Sequence, residues 1–137
     1  APRVATLIVL ASLVALSVQL FPCKVDWKLR SKTEKKFRID LYAPALKQKA
    51  EEIIFDAVDQ NKRVHIEGKD CDVKPFLMRI FPADPEHEGQ WLEGKNYTTK
   101  LFGNGFIRFT FKDDLRPILT DSESIVLSEG NLFNWTP

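Results

Sequence analysis

Val4 to Cys23, VATLIVLASLVALSVQLFPC, is a run of twenty residues without a charge, and it constrains everything that follows. Wound as a helix, such a run covers about 30 Å, one bilayer core. Thr6, Ser12, Ser17 and Gln19 are its least apolar members, and Pro22 closes it. The expectation is a retained transmembrane helix over residues 1–23. The alternative is a cleaved secretory signal peptide, with Arg3 as its basic flank and Ala15-Leu16-Ser17 as its small-residue site.

A basic stretch follows. Lys24, Lys28, Arg30, Lys32, Lys35, Lys36 and Arg38 fall within fifteen residues. Residues 24–36 therefore read as a juxtamembrane stalk. Its Lys24, Lys28, Arg30 and Lys32 would meet anionic head groups, each worth up to about 1 kcal/mol near a charged leaflet. Trp27 would sit half wet at the interface.

Two signals disagree about the side of the membrane. The basic flank favours the cytosolic, matrix or stromal side. The sequons Asn96-Tyr97-Thr98 and Asn134-Trp135-Thr136 favour glycosylation in a lumen. Cys23 and Cys71 would form one disulfide there, or stay two free thiols on the other side. The expectation is a single-pass glycoprotein of the endoplasmic reticulum or a later lumen. The alternative is a mitochondrial or other organelle inner membrane.

Composition narrows the rest. Hydrophobic residues are 44% and charged residues 28%, the range of globular chains rather than disordered ones. A net charge of +1 gives no electrostatic reason to expect nucleic acid. Two cysteines are too few for a disulfide-dense scaffold or a cysteine-built zinc site.

Residues 37–137 read as an α+β domain with a largely antiparallel sheet and one amphipathic helix. Phe37, Ile39 and Leu41 alternate, as in a half-buried strand. Residues 45–60 carry a helical stripe of Leu46, Ala50, Ile53, Ile54, Ala57 and Val58. Phe55 falls on the opposite, polar face of that wheel. Residues 63–67 and 75–81 read as strands, the latter central and bounded by Pro75 and Pro82. Tyr97–Phe102 and Phe106–Phe111 flank Gly103-Asn104-Gly105, the pattern of a hairpin that would set Thr98 opposite Thr110. Residues 124–128 form a further strand, with Trp135 in a terminal apolar patch.

Catalytic patterns are missing. His65-Ile66-Glu67 would place His65 and Glu67 on one outward strand face, without the cysteine pair of a zinc deaminase. Glu86-His87-Glu88 lacks the helical spacing of a metalloprotease. No nucleophile elbow, phosphate loop or dinucleotide fingerprint occurs. No cofactor, metal or catalytic residue is assigned. The expected function is a non-catalytic accessory or assembly subunit of a membrane protein complex. Its partners would be the bilayer and other subunits, met through Phe55, Phe102, Phe106 and Trp135. The alternative is a secreted or lumenal domain that binds a small ligand or glycan.

Overall fold

The computed structural model describes residues 23–43, 51–68, 75–127 and 134–136, with Cys23 and 134–136 described by their backbone. Among these residues there are nine strands and no helix. They are β1 (Cys23–Ser31), β2 (Phe37–Tyr42), β3 (Glu51–Phe55), β4 (Asn61–Gly68), β5 (Phe76–Pro82), β6 (Lys95–Thr99), β7 (Leu101–Phe111), β8 (Pro117–Leu127) and β9 (Asn134–Thr136). The first sheet has the order β4-β1-β7-β8 and the second β3-β2-β5-β6-β9. Only the β1–β7 ladder is parallel. The α+β expectation is thus replaced by an all-β sandwich.

One core lies between the sheets. The first sheet supplies Val25, Trp27, Leu29, Val64, Ile66, Ile107, Phe109 and Phe111. The second supplies Phe37, Ile39, Leu41, Ile53, Phe55, Phe76, Met78, Ile80 and Tyr97. Rings meet across the gap: Trp27 lies 4.9 Å from Phe76, and Phe37 lies 5.5 Å from Phe111. Fully burying a side chain of this size contributes roughly 1.5–3 kcal/mol. The alternation read for residues 37–41 and 63–67 is the alternation found, with apolar residues inward and polar or charged ones outward, whereas the strand over 75–81 is apolar on its outward side too, at Leu77 and Phe81.

Three sequence readings give way. The stalk is instead β1 and the loop after it. Val25, Trp27 and Leu29 alternate with Lys24, Asp26, Lys28 and Arg30, so the charges occupy one side of a strand and the apolar residues the other. β1 is a central strand, and Trp27 is wholly buried rather than at a bilayer interface.

The helix expected over 45–60 is β3 where it is described. Ile53 and Phe55 face Ile39 and Phe37 across the β2–β3 ladder, while Ile54 is 42% exposed. Pairing with a distant strand overrides a local helical stripe. Leu46 and Ala50 lie outside the described residues. The turn after β3 is closed locally, because Gln60 Oε1 accepts from the Asp56 N–H at 2.8 Å and Asp59 adopts φ 63°.

The hairpin does not form. β6 belongs to the second sheet and β7 to the first, and the chain changes sheets at Lys100. Thr98 faces Leu77 and Asn134, whereas Thr110 faces Arg30 and Ile118. Gly103 and Gly105 lie inside β7, where β7 carries an extra residue between Gly103 and Phe106 and the β8 backbone presses close. A Cβ on Gly103 would strike the Ser124 carbonyl oxygen, and one on Gly105 the Glu123 carbonyl oxygen.

Candidate functional site

The connections sort to two ends. β1 begins at Cys23 beside the end of β4 and the start of β7. At that end lie the points where residues 44–50, 69–74 and 128–133 join the strands. The connections 32–36, 56–60, 83–94 and 112–116 all lie at the other end. A nine-residue strand separates the ends, about 30 Å.

The loop 32–36 ties this far end together. Its Lys32 N–H donates to the Phe111 carbonyl at 2.7 Å. Thr33 is 1% exposed, and its hydroxyl donates to Asp113 Oδ1 at 2.6 Å. Lys35 Nζ donates to the Asp113 carbonyl at 2.8 Å. The Lys36 carbonyl accepts from the Ala83 N–H at 3.0 Å. Lys32 and Arg30 both reach Asp59 in the β3–β4 turn and hold its carboxyl below the usual range, Lys32 foremost. One short basic segment therefore touches each of the other three loops. A scaffold that holds loops in this way is where binding sites are commonly built.

Two clefts open here, on either side of the Lys36–Ala83 bond. The first, about 250 Å³, runs in between the sheets over Ile80, Tyr97 and Leu115, with Lys35, Glu93 and Lys95 at its rim. The second, about 270 Å³, lies on the outer side of the second sheet. Its walls are Lys36, Ala83, Asp84, Pro85, Glu88, Gly89, Gln90 and Trp91. The loop between β5 and β6 shapes it: Trp91 bridges to Ala83, the Asp84 N–H donates to the Gln90 carbonyl at 3.0 Å, and Gly89 supplies a left-handed turn at φ 81°. The Asp84 carboxyl is held below its usual range, first by the Glu86 N–H and then by His87.

A third cluster lies on the outer face of the first sheet. His65 Nδ1 is 2.7 Å from Asp26 Oδ1, and its Nε2 is 2.9 Å from Glu67 Oε1. Arg63 Nη2 donates to the other Asp26 oxygen at 2.8 Å. Glu67, then Asp26, raise the His65 pKa, and both ring nitrogens are placed to donate. The two carboxylates sit on opposite sides of the ring and do not converge. Among the described residues no group of three or more His, Cys, Asp or Glu is placed to hold a metal ion.

The residues singled out in the sequence are scattered. Phe55 is fully buried and stacked on Phe37 at 5.0 Å, so it presents nothing to a partner. Phe102 packs against the core. Phe106 is half-buried on the first sheet's outer face, with Lys28 Nζ 4.1 Å above its ring. Trp135 faces Tyr97 in the β6–β9 register. Of the stalk cations, Lys24 lies beside Cys23, but Arg30 and Lys32 are carried by β1 to the far end and are engaged with Asp59. Asn96 is half-buried on β6, opposite Arg79, and Asn134 lies on β9 opposite Thr98. Cys23 faces Gly68, three residues short of Cys71, which is outside the described residues. The sequence reading passed over Trp91 and the loop 32–36. The strict alternation of Val25, Trp27 and Leu29 was the available signal for the loop, since it makes residues 32–36 a strand connection.

No protein-family model matches the chain, and no curated protein matches it either. No helix of the described residues is long and apolar enough to cross a membrane. The Val4–Pro22 run lies outside them.

Proposed function

We propose that this chain is a non-catalytic recognition domain, tethered or delivered through its N-terminal apolar run, that presents the loop end of a β-sandwich to a small ligand or glycan. The observation that supports this is the far end itself: of its four cross-tied loops, three frame two clefts, and they sit a full strand length from Cys23. The aromatic positions that favoured an assembly subunit give less support, because Phe55 is buried and Phe106 lies beneath a lysine. The accessory-subunit reading keeps one feature. β8 is an eleven-residue edge strand with Ile118 and Val126 exposed, an edge to which a neighbour's strand could add.

The test is positional. The full chain is reconstituted in vesicles that carry a nitroxide at the lipid head group. A fluorophore on Lys24→Cys is expected to be quenched, and one on Glu86→Cys is not. Equal quenching at both sites would put the clefts against the membrane and end the reading.

A further inference from the structure

We propose that the cleft beside Trp91 is a carbohydrate site for one pyranose ring of an uncharged glycan. The inference deepens the recognition reading and rests on it. The indole would take the C–H face of the sugar, while Glu88, Gln90 and Lys36 hydrogen-bond its hydroxyls.

Each part of the argument is a property of the cleft. Trp91 is half-buried and lines the cleft, with Lys36 Nζ 5.6 Å and Arg38 5.3 Å from its ring centroid, so a sugar would take the part of the ring that these cations leave open. An aromatic face packs well against an apolar, polarised C–H surface. Glu88 and Gln90 are exposed, and their side chains make no hydrogen bond or ion pair among the described residues. A carboxylate is a planar pair of acceptors, and an amide offers an acceptor beside two donors. Vicinal hydroxyls, each donor and acceptor at once, match that mixture. Lys36 adds donors from the opposite wall.

Other ligand classes fit less well. Asp84 and Glu88 would repel a phosphate or carboxylate. Lys36 Nζ, 5.6 Å from the Trp91 ring centroid, and Arg38, 5.3 Å from it, already supply the positive charge that an aromatic face attracts, which disfavours a cationic ligand. Lys36 and Arg38 against Asp84 and Glu88 leave the surroundings of the ring near charge balance, which suits a neutral ligand. An acyl chain finds no continuous apolar wall, because charged Lys36, Asp84 and Glu88 interrupt the apolar surface of Ala83, Pro85 and Trp91. Its 270 Å³ falls below the range of about 300–1,000 Å³ usual for drug-sized ligands.

The experiment follows the three indole N–H signals of the full chain, ¹⁵N-labelled at tryptophan, in a zwitterionic detergent without a sugar head group. Trp91→Phe assigns the relevant signal. The probes are methyl α-mannopyranoside, methyl β-galactopyranoside and N,N′-diacetylchitobiose, with sodium phosphate and tetramethylammonium chloride as charged counterparts. At least one sugar is expected to shift the Trp91 signal saturably, with a Kd on the order of 1 mM, and to leave Trp27 in place. Glu88→Gln, an exposed change that spares the fold, is expected to weaken that sugar about tenfold. Silence with all three sugars overturns the site, as does saturable binding of phosphate or tetramethylammonium in their place. In a second, uniformly ¹⁵N-labelled sample, shifts of backbone amides in loops 32–36 or 112–116 with Trp91 unmoved would overturn the site yet keep the recognition reading. No perturbation anywhere would remove both.

Discussion

Asp26 and Asp40 hold matching places on opposite sides of the sandwich. Each lies on a central strand, at an outward position, with arginine for company. Their surroundings differ. Asp40 is 3% exposed: Arg38 reaches it from two residues away, at 3.1 and 3.2 Å, and Arg79 stands across the ladder. Aromatic rings cover the arginines, with Phe81 4.3 Å from Arg38 and Tyr42 5.6 Å from Arg79. The Asp26 side chain is 24% exposed and shared by Arg63 and His65, which are themselves in water. One face thus dries its ion pair under aromatic rings, and the other leaves its pairs wet. Charge attraction strengthens as water leaves, but so does the penalty for a charge without its partner. The Arg38 Nε–Asp40 Oδ1 contact is close yet off the hydrogen-bond axis, so it is better described as an ionic contact.

The core shared by both faces sets the scale. Phe55→Ser removes a ring stacked on Phe37 and leaves a hydroxyl in its place, a loss of about 3–5 kcal/mol in chemical unfolding of the full chain. A loss below about 1 kcal/mol would return Phe55 to the surface. Next comes the comparison itself. Asp40→Ala strands Arg38 under its rings and is expected to cost about 2–3 kcal/mol, discounted from the fully buried case because the Arg38 side chain is 20% exposed. Asp26→Ala should cost clearly less in the same unfolding measurement, because the groups it leaves behind are hydrated. Equal losses would break the contrast between the faces.

A smaller effect separates the faces by pH. His65 has a folded pKa above its ordinary value, raised by Glu67 first and then Asp26. Its contribution is present below the unfolded value of about 6.5 and is lost as pH rises through the raised folded value. Asp26 and Glu67 are depressed, Asp26 chiefly by Arg63 and Glu67 chiefly by His65. Their contributions are present above about pH 4 and are lost as pH falls through the depressed values. The first sheet's cluster therefore adds most between about pH 4.5 and 6.5. His65→Gln should flatten the fall in Tm from about pH 6 to 8. An unchanged profile would mean that the imidazole is not the titrating bridge.

These contrasts also show where the sequence was legible. The strands at 37–41 and 63–67 could be read because alternation is a local property of a half-buried strand, and the one at 75–81 because a short run apolar on both faces between Pro75 and Pro82 suits a central strand. β1 carries the same alternation, but its charges fall next to an apolar run, and the membrane context drew attention to the charges and away from Val25, Trp27 and Leu29. β3 misled for a different reason: Ile53, Ile54 and Val58 satisfy a helical stripe, and only pairing with Phe37 and Ile39 decides for a strand. Gly103-Asn104-Gly105 has hairpin chemistry, yet its glycines serve a close approach by β8, twenty residues later in the chain. The candidate site shared that fate. Trp91 has no motif around it, and its cleft exists only because Ala83 bridges back to it and Lys36 arrives from another loop.

The smallest effect belongs to the sequons, which are both in the second sheet. Asn96 faces Thr136 and Thr98 faces Asn134, so the two acceptors run antiparallel in one ladder. Asn96 and Asn134 are then diagonal neighbours, about 7–8 Å apart. Two branched glycans rooted that close would crowd each other and pull at a strand pairing only three residues long. In a glycosylating host the folded chain is expected to carry one glycan, at Asn96, since Pro137 follows the second sequon and disfavours it. Asn96→Gln should remove that gel shift or pass it to Asn134, and Asn134→Gln should leave it in place. Neither change should move stability by more than about 0.5 kcal/mol, because each replaces one polar amide with another. A folded species with two glycans would show that β9 separates from β6. A chain with none, from a host that modifies a control sequon in the same compartment, would place the domain on the side that the basic flank favours.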